Sequence, residues 1–513
     1  MLPRHTLVAL YLLLLSVYLL SASGHFFSVD HVHVYLTTQS LVERGSLAIK
    51  PLGNSVPAPG GLAYSPYVPA QSLLSIPLYL LGRFVGAVAP PAVQRYLASP
   101  GDGDYAGAVP IFFVSLFNQL ITPLIAVLVA LFCAQMGFSR RAAVGTALVF
   151  GLGTLCWVIA REYFQHSLET LAVLAAVYVL FANRERLRPG HALAAGAALA
   201  VGILTRSNVL ILVPVVLVYL WLLVPTPAAD AARPAAAWRA VDWARRRTTA
   251  GLPSLVAFGL PLLAALAVLL ALNRIKYGHA LNFGPQVAPG FSTPLWVGLY
   301  GYLLSPGRSV FLYSPPLALA AFAFVEFWRG FRRESLLFLS IGGIYLLVFS
   351  SYQYWHGGWS YGPRYLFTPL PFLIIPLAYL FRSWRGVLAV AVFAALGVGV
   401  AFLGIALNYN EVYFDWIRMG LVPEDAYLWV PQISAIPTHA ADLLAGRYID
   451  LWLVWVYQQF GVGVALLTAA VPLTLLAVAV GLLRDLLSGA GSVPHKAPQT
   501  PLGHLGSEGL GEG

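Results

Sequence analysis

Charge is scarce in this 513-residue chain: Asp, Glu, Lys and Arg together make up 10% of it, against about 25% in an ordinary soluble domain. With 59% hydrophobic residues and a mean hydropathy of +0.76, there is more apolar surface than a soluble interior can hold. A soluble enzyme, a secreted disulfide scaffold and a disordered chain are excluded. Cysteine is almost missing. The two present, Cys133 and Cys156, both lie in apolar runs, so neither a disulfide framework nor a Cys-based metal site follows. Lysine is rare as well: Lys50, Lys276 and Lys496 are the only lysines. The net charge of +10 comes from arginines dispersed over loops between apolar runs. A nucleic-acid binder gathers its basic residues on one face, and that partner class is excluded. What remains is an all-α polytopic membrane protein.

A bilayer core needs about 20 apolar helical residues, and on that measure about twelve transmembrane helices are expected. They fall near 6–24, 108–136, 143–160, 167–182, 191–205, 208–224, 252–272, 315–328, 335–351, 366–381, 387–407 and 452–483. The first reads as a retained helix, because no small-residue cleavage site followed by a soluble domain succeeds it. Two further apolar stretches, 70–89 and 293–304, are broken by Pro and Gly and are expected to be interfacial or re-entrant. One set of loops carries Arg4, Arg140, Arg141, Arg184, Arg186, Arg188, Arg233, Arg239, Arg245, Arg246, Arg247, Arg329, Arg332, Arg333, Arg382, Arg385 and Arg484. The positive-inside rule makes that side, and both termini, cytoplasmic. The tail 488–513, rich in Gly, Pro and Ser, reads as disordered. The opposite side holds four substantial loops, 25–107, 273–314, 352–365 and 408–451. The first is long enough for amphipathic helices on the membrane, one of them over Val34–Leu47. No internal repeat relates the two halves, which weighs against a transporter.

Ionisable groups at membrane-helix ends are costly and usually functional. The outer face collects Asp30, Arg161, Glu162, His166, Arg206, Asn208, Arg274, Lys276, Arg308 and Arg364. These outward positive charges run against the positive-inside trend, and an anionic partner is the simplest reason for them. Arginine grips phosphate through paired N–H donors and keeps its charge at every relevant pH. Each group also has a purely structural reading. Arg161 and Glu162 pair with each other or with Arg206; Arg274 and Lys276 snorkel to headgroups. Asp30 caps the helix that follows it; Arg364 caps a helix or pairs with a loop carboxylate; His166 and Glu169 pack against neighbours. His25, His31 and His33 have a spacing that matches no standard metal site, so no metal is assigned. The aromatics of Trp355-His-Gly-Gly-Trp-Ser-Tyr-Gly-Pro-Arg364 stack on a sugar ring or belt the interface.

A first membrane helix running into a long outer loop with an early Asp, followed by many spans, resembles the GT-C superfamily of membrane glycosyltransferases. The bacterial aminoarabinose lipid A transferases and the protein O-mannosyltransferases are the nearest in style. The residues that carry the likeness are Ser28-Val-Asp30 with Tyr35, Leu41-Val-Glu-Arg-Gly45, Tyr64-Ser-Pro-Tyr67 and Trp359-Ser-Tyr-Gly-Pro-Arg364-Tyr. The architectural likeness covers about the first 400 residues. One departure is that many relatives carry a paired acidic motif where this chain has Asp30-His31.

The resemblance implies one glycosyltransferase-like domain over 1–487 in a cell membrane of prokaryotic type, with its active site outward. It implies a polyprenyl-phosphate sugar as donor, membrane lipid as surroundings, a lipid, glycan or protein acceptor, and no cofactor. Asp30 then serves as general base. Arg206, Arg274, Lys276, Arg308 and Arg364 form the pool that holds the donor phosphate, with inversion at the anomeric carbon. Glu162, His166, Tyr64, Trp355 and Trp359 are the expected sugar and acceptor pocket. A surface-glycan polymerase or ligase is the competing enzyme. A transporter or flippase is the competing class, although it places charge near mid-membrane, where Asn118 and Gln119 are the main polar residues here. A non-catalytic assembly partner is the third alternative.

Overall fold

The computed structural model describes residues 2–98, 108–224, 237–284, 290–418, 420 and 425–484. The expected tail 488–513, Arg233, and parts of three outer loops (99–107, 285–289 and 421–424) lie outside the described residues. The chain is mostly helical. Five described helices are long and apolar enough to cross a bilayer: Val109–Gln135, Arg245–Tyr277, Arg332–Ser351, Trp384–Ala406 and Trp452–Leu482. Arg140–Gly153 and Leu155–Arg161 form a sixth candidate, bent by 59°.

Five of the remaining expected spans are apolar helices of 10–17 residues, among them Arg4–Leu20, His166–Ala182 and Pro189–Thr205, and the expected span 315–328 is the helix Pro316–Gly330. At 1.5 Å per residue, seventeen residues reach only about 25 Å. Proline explains several of the shortfalls. The stretch expected as one span over 366–381 contains Pro369, Pro371 and Pro376. It runs as a short α-helix, Leu370–Ile374, and a 3-10 segment, Ile375–Arg382, because proline lacks the N–H that an α-helix needs. The expected span 208–224 likewise opens as a 3-10 turn, Ser207–Leu212, before the helix Val213–Leu223. Ile76–Val88 and Leu295–Leu304 are helices too short to cross alone.

The helices pack in a chain of neighbours. Arg4–Leu20 lies against Trp452–Leu482 and Phe117–Gln135; His166–Ala182, Pro189–Thr205 and the long helix Ala237–Tyr277 follow one another side by side. One apolar core runs through the bundle, from Leu10 and Leu14 to Phe338, Ile374 and Ile405.

A smaller layer covers one end. Its main helix is Val29–Arg44, started by Ser28, whose hydroxyl accepts from the Asp30 N–H, and stopped by Gly45 in the left-handed conformation. The expectation of a purely α fold is corrected here. Ala48–Ile49, Ala63–Tyr64 and Val56–Pro57 form a three-stranded antiparallel sheet with the Ala63–Tyr64 strand in the middle. Gly, Pro, Asn and Ser between 53 and 61 favour turns over helix. Phe26, Val32, Tyr35, Tyr79, Phe117 and Tyr163 form a second apolar cluster that fastens this layer to the bundle.

Candidate active site

Three of the predicted site residues line one cavity of about 770 Å³: Asp30, Arg206 and Arg364. Tyr67, Asn54, Asn208, Tyr352, Tyr354 and Tyr365 line it with them.

Asp30 sits on the first turn of Val29–Arg44. The helix is capped by Ser28, not by Asp30, which corrects the capping reading and leaves the carboxylate for the cavity. Its side chain is 26% exposed, with Arg364 Nη1 3.6 Å from Oδ2. Burial, and the negative charge of Asp30 to which its hydroxyl donates, push the Tyr67 phenol well above its ordinary range. Tyr67 therefore stays a donor to Asp30.

Arg364 opens a 3-10 turn, Arg364–Leu366. Its guanidinium lies 4.2 Å over the Phe164 ring. Gly357, at φ +76°, comes so close that an added Cβ would stand 3.1 Å from Arg364 Cγ and Nε. The glycine is thus required both by the turn and by the arginine passing it.

Arg206 ends the helix Pro189–Thr205 in extended conformation, and the next turn begins at Ser207. Its Nε stands 3.1 Å from Glu169 Oε2 and its Nη1 3.5 Å from His166 Nε2.

The rest of the predicted set is placed elsewhere. Arg274 is exposed and does not line the cavity. Lys276 is buried and donates to the carbonyls of Ser65 (2.9 Å) and Tyr67 (2.5 Å), so it fastens the loop that carries Tyr67 rather than snorkelling to lipid. Arg308 is fully buried. It donates to the carbonyls of His356, Gly307 and Gly358 at 2.6, 2.8 and 2.7 Å, which corrects its assignment to the donor phosphate: the guanidinium shapes the 356–358 turn instead.

Glu162 is buried outside the cavity lining. Burial pushes its carboxyl up to about 7, against the pull of Arg364, Arg161 and Arg308. Its carbonyl, and that of Phe164, accept from Asn118, the mid-span asparagine picked out in the sequence. His166 is buried behind Arg206. Tyr64 belongs to the sheet, Trp355 packs on Tyr302 and Trp429, and Trp359 packs on Phe414. None of the three lines the cavity. The aromatic wall is built from Tyr67, Tyr352, Tyr354 and Tyr365 instead, of which Tyr67 and Tyr365 stood in the quoted motifs.

Arg161 pairs with neither Glu162 nor Arg206 but with Asp450, which also holds His25 Nε2 at 2.6 Å. His33 Nε2 meets the Gly53 carbonyl at 2.7 Å, and His31 is enclosed by Phe26, Phe27 and Phe164. Burial, then the charges of Arg364, His25 and Arg161, keep His31 well below its usual range and so neutral. Among the described residues no three His, Cys, Asp or Glu side chains gather as a metal site.

Beside the polar cavity runs an apolar groove of about 720 Å³, lined among others by Ile203, Val213, Trp221, Phe258 and Leu266. Leu210 lines both spaces.

Residues 75–267 match the family model of dolichyl-phosphate-mannose-protein mannosyltransferase. No curated protein matches the chain by sequence. Among solved structures, ArnT from Cupriavidus metallidurans bound to undecaprenyl phosphate is similar with a TM-score of 0.50 and 17% identity, over 94% of this chain and 77% of ArnT. The archaeal oligosaccharyltransferase AglB from Archaeoglobus fulgidus, in complex with an inhibitory peptide and a dolichol-phosphate, gives 0.48 and 12% identity over 87% of this chain. The chain spans 64% of the length of AglB. The likeness is one of fold: the chain folds as ArnT does over most of its length.

Proposed function

We propose that the chain transfers a sugar from a polyprenyl-phosphate donor to an acceptor hydroxyl on the extracytoplasmic face of a cell membrane, with inversion at the anomeric carbon. The observation that carries this reading is the single cavity joining one carboxylate, Asp30, to two guanidinium groups, Arg206 and Arg364, beside an apolar groove. The two arginines suit a lipid phosphate, and the groove suits its isoprenoid chain. The aromatic wall suits the faces of a sugar ring.

The step balances without a further reactant. Asp30 takes the proton of the acceptor hydroxyl as its oxygen bonds to the anomeric carbon. The bond from that carbon to the phosphate oxygen breaks, and the electron pair stays on the phosphate. Arg206 and Arg364 stabilise the charge left there. The acceptor is a lipid, a glycan or a protein hydroxyl.

Asp30→Asn tests the base. It keeps the size of the side chain and removes its basicity. Transfer should fall by about 10² or more, the usual contribution of general base catalysis, while a polyprenyl phosphate still binds. The product should show the anomeric configuration opposite to the donor's, read by NMR. Normal transfer by Asp30→Asn would remove Asp30 from the mechanism.

A further inference from the structure

Resting on that reading, we infer that Glu169 is the positioning residue of the site: it never meets the substrate, but sets the angle at which Arg206 faces the donor phosphate. Glu169 stands on the first turn of the helix His166–Ala182 and is 1% exposed. A buried carboxylate is costly unless it is paired, and this one has partners on several elements. Its Oε1 accepts from Asn208 Nδ2 at 2.8 Å and from the Tyr345 hydroxyl at 2.6 Å. Its Oε2 faces Arg206 Nε at 3.1 Å and His166 Nδ1 at 3.6 Å. Asn208 in turn accepts from Arg206 Nε at 3.3 Å and donates toward the Tyr345 oxygen at 3.1 Å.

The consequence for Arg206 is geometric. Glu169 and Asn208 meet it at Nε, His166 stands beside Nη1, and its Cζ lies 5.7 Å from the centroid of the Tyr365 ring. Nη2 has no hydrogen-bond partner among the described residues, and the side chain remains 18% exposed on the cavity. A guanidinium held at Nε and Nη1 presents Nη2 in a fixed direction, and a donor fixed in direction binds a phosphate oxygen better than a mobile one. Arg364 feels the buried Glu162, but among the described residues Asp30 is the carboxylate within ion-pair distance of it. Its nearest acid, Asp30 at 3.6 Å, is the proposed base. The two cavity arginines are therefore unlike, and Arg206 is the pre-set one.

The test is a double-mutant cycle on the full chain in detergent, with undecaprenyl phosphate carrying no sugar as the binding probe and inorganic phosphate as control. Glu169→Gln keeps the shape and removes the charge. We expect it to weaken binding of the lipid phosphate about tenfold, within the usual coupling of two members of one ion-pair and hydrogen-bond network, through loss of the Glu169–Arg206 ion pair. It should raise donor KM in proportion and leave acceptor KM unchanged. Arg206→Ala should weaken binding at least as much, and the double variant should bind no worse than Arg206→Ala alone, because Glu169 acts only through Arg206. Melting temperature should behave differently: Arg206→Ala strands a buried carboxylate and lowers it, and adding Glu169→Gln restores it. Tyr345→Phe, which removes one donor to Glu169, should show a smaller loss of binding and serves if Glu169→Gln does not fold. Wild-type binding by Glu169→Gln, or losses that add in the double variant, would overturn the positioning role alone. Wild-type binding by Arg206→Ala would overturn the donor seat proposed above.

Discussion

His25 and Asp450 are 425 residues apart in the chain and 2.6 Å apart in space, and Arg161 closes the cluster on the other carboxylate oxygen. It pins the strand of chain just before Asp30 to the segment that leads into the last helix. Burial alone would raise the Asp450 carboxyl, but His25 and Arg161 outweigh it and hold it at about 2. Burial alone would lower the His25 ring, yet Asp450 outweighs that and raises it above its ordinary 6.5. The signs follow from linkage. His25 titrates higher folded than unfolded, so its stabilisation is complete below about 6.5 and fades as pH rises through the folded value. Asp450 titrates lower when folded. Its contribution holds above about 4 and is lost as pH falls toward 2. Melting curves of the wild type and His25→Gln from pH 5 to 9 should therefore show the widest gap at the acid end, closing toward pH 9. A constant gap would mean that the ring is neutral in the cluster.

At the scale of elements, close crossings hold the site-bearing segments in place. The helix Trp384–Ala406 passes the end of Arg140–Gly153 so tightly that a Cβ on Gly397 would lie 2.0 Å from the Gly153 carbonyl oxygen. Small residues permit such approaches between membrane helices. The crossing sits where the bent span turns by 59° before Arg161 and Glu162. Gly397→Ala should cost about 1–3 kcal/mol, the usual range for overpacking. Gly399→Ala, two residues on and with open space around it, should be neutral or slightly stabilising. Thermal unfolding of the two variants side by side checks this, and equal behaviour would remove the crossing as a constraint. Apolar runs of this kind were legible in the sequence because burial in lipid demands them residue by residue. The bends were not, since the Ser314 hydroxyl that accepts from the Leu155 N–H at the bend comes from a segment 159 residues away and arrives only once distant helices are packed. The same distinction separates the arginines. Arg206, Arg308 and Arg364 look alike in sequence at the outer ends of apolar runs. What makes Arg308 structural is a turn about 50 residues later whose carbonyls surround it, and what makes Arg206 directional is a glutamate on another helix. Asp30 was legible as the early acid of the long first outer loop; that Ser28 and not Asp30 caps the helix was not, since both residue types cap equally well.

For the molecule as a whole, orientation decides whether the cavity with Asp30 can meet a donor and acceptor on the outer face. The arginine-rich loops argue for the cytoplasm on one side, and the layer carrying Asp30 then lies opposite. The two native cysteines are both buried, so a Cys-free background through Cys133→Ala and Cys156→Ala disturbs no surface. In that background Lys50→Cys and Arg186→Cys place single thiols at exposed positions on the two faces that the charge pattern assigns. A membrane-impermeant maleimide added to intact cells should label Lys50→Cys at once and Arg186→Cys only after permeabilisation. The reverse pattern would put Asp30 and the arginine pair on the cytoplasmic side. A sugar transferred there would meet cytoplasmic acceptors, so the outward acceptor would fall while the chemistry of the cavity stood. Labelling of both thiols in intact cells would instead mean that one of the bent or short helices returns to the side it came from. The count of crossings between residues 50 and 186 would then be even rather than odd.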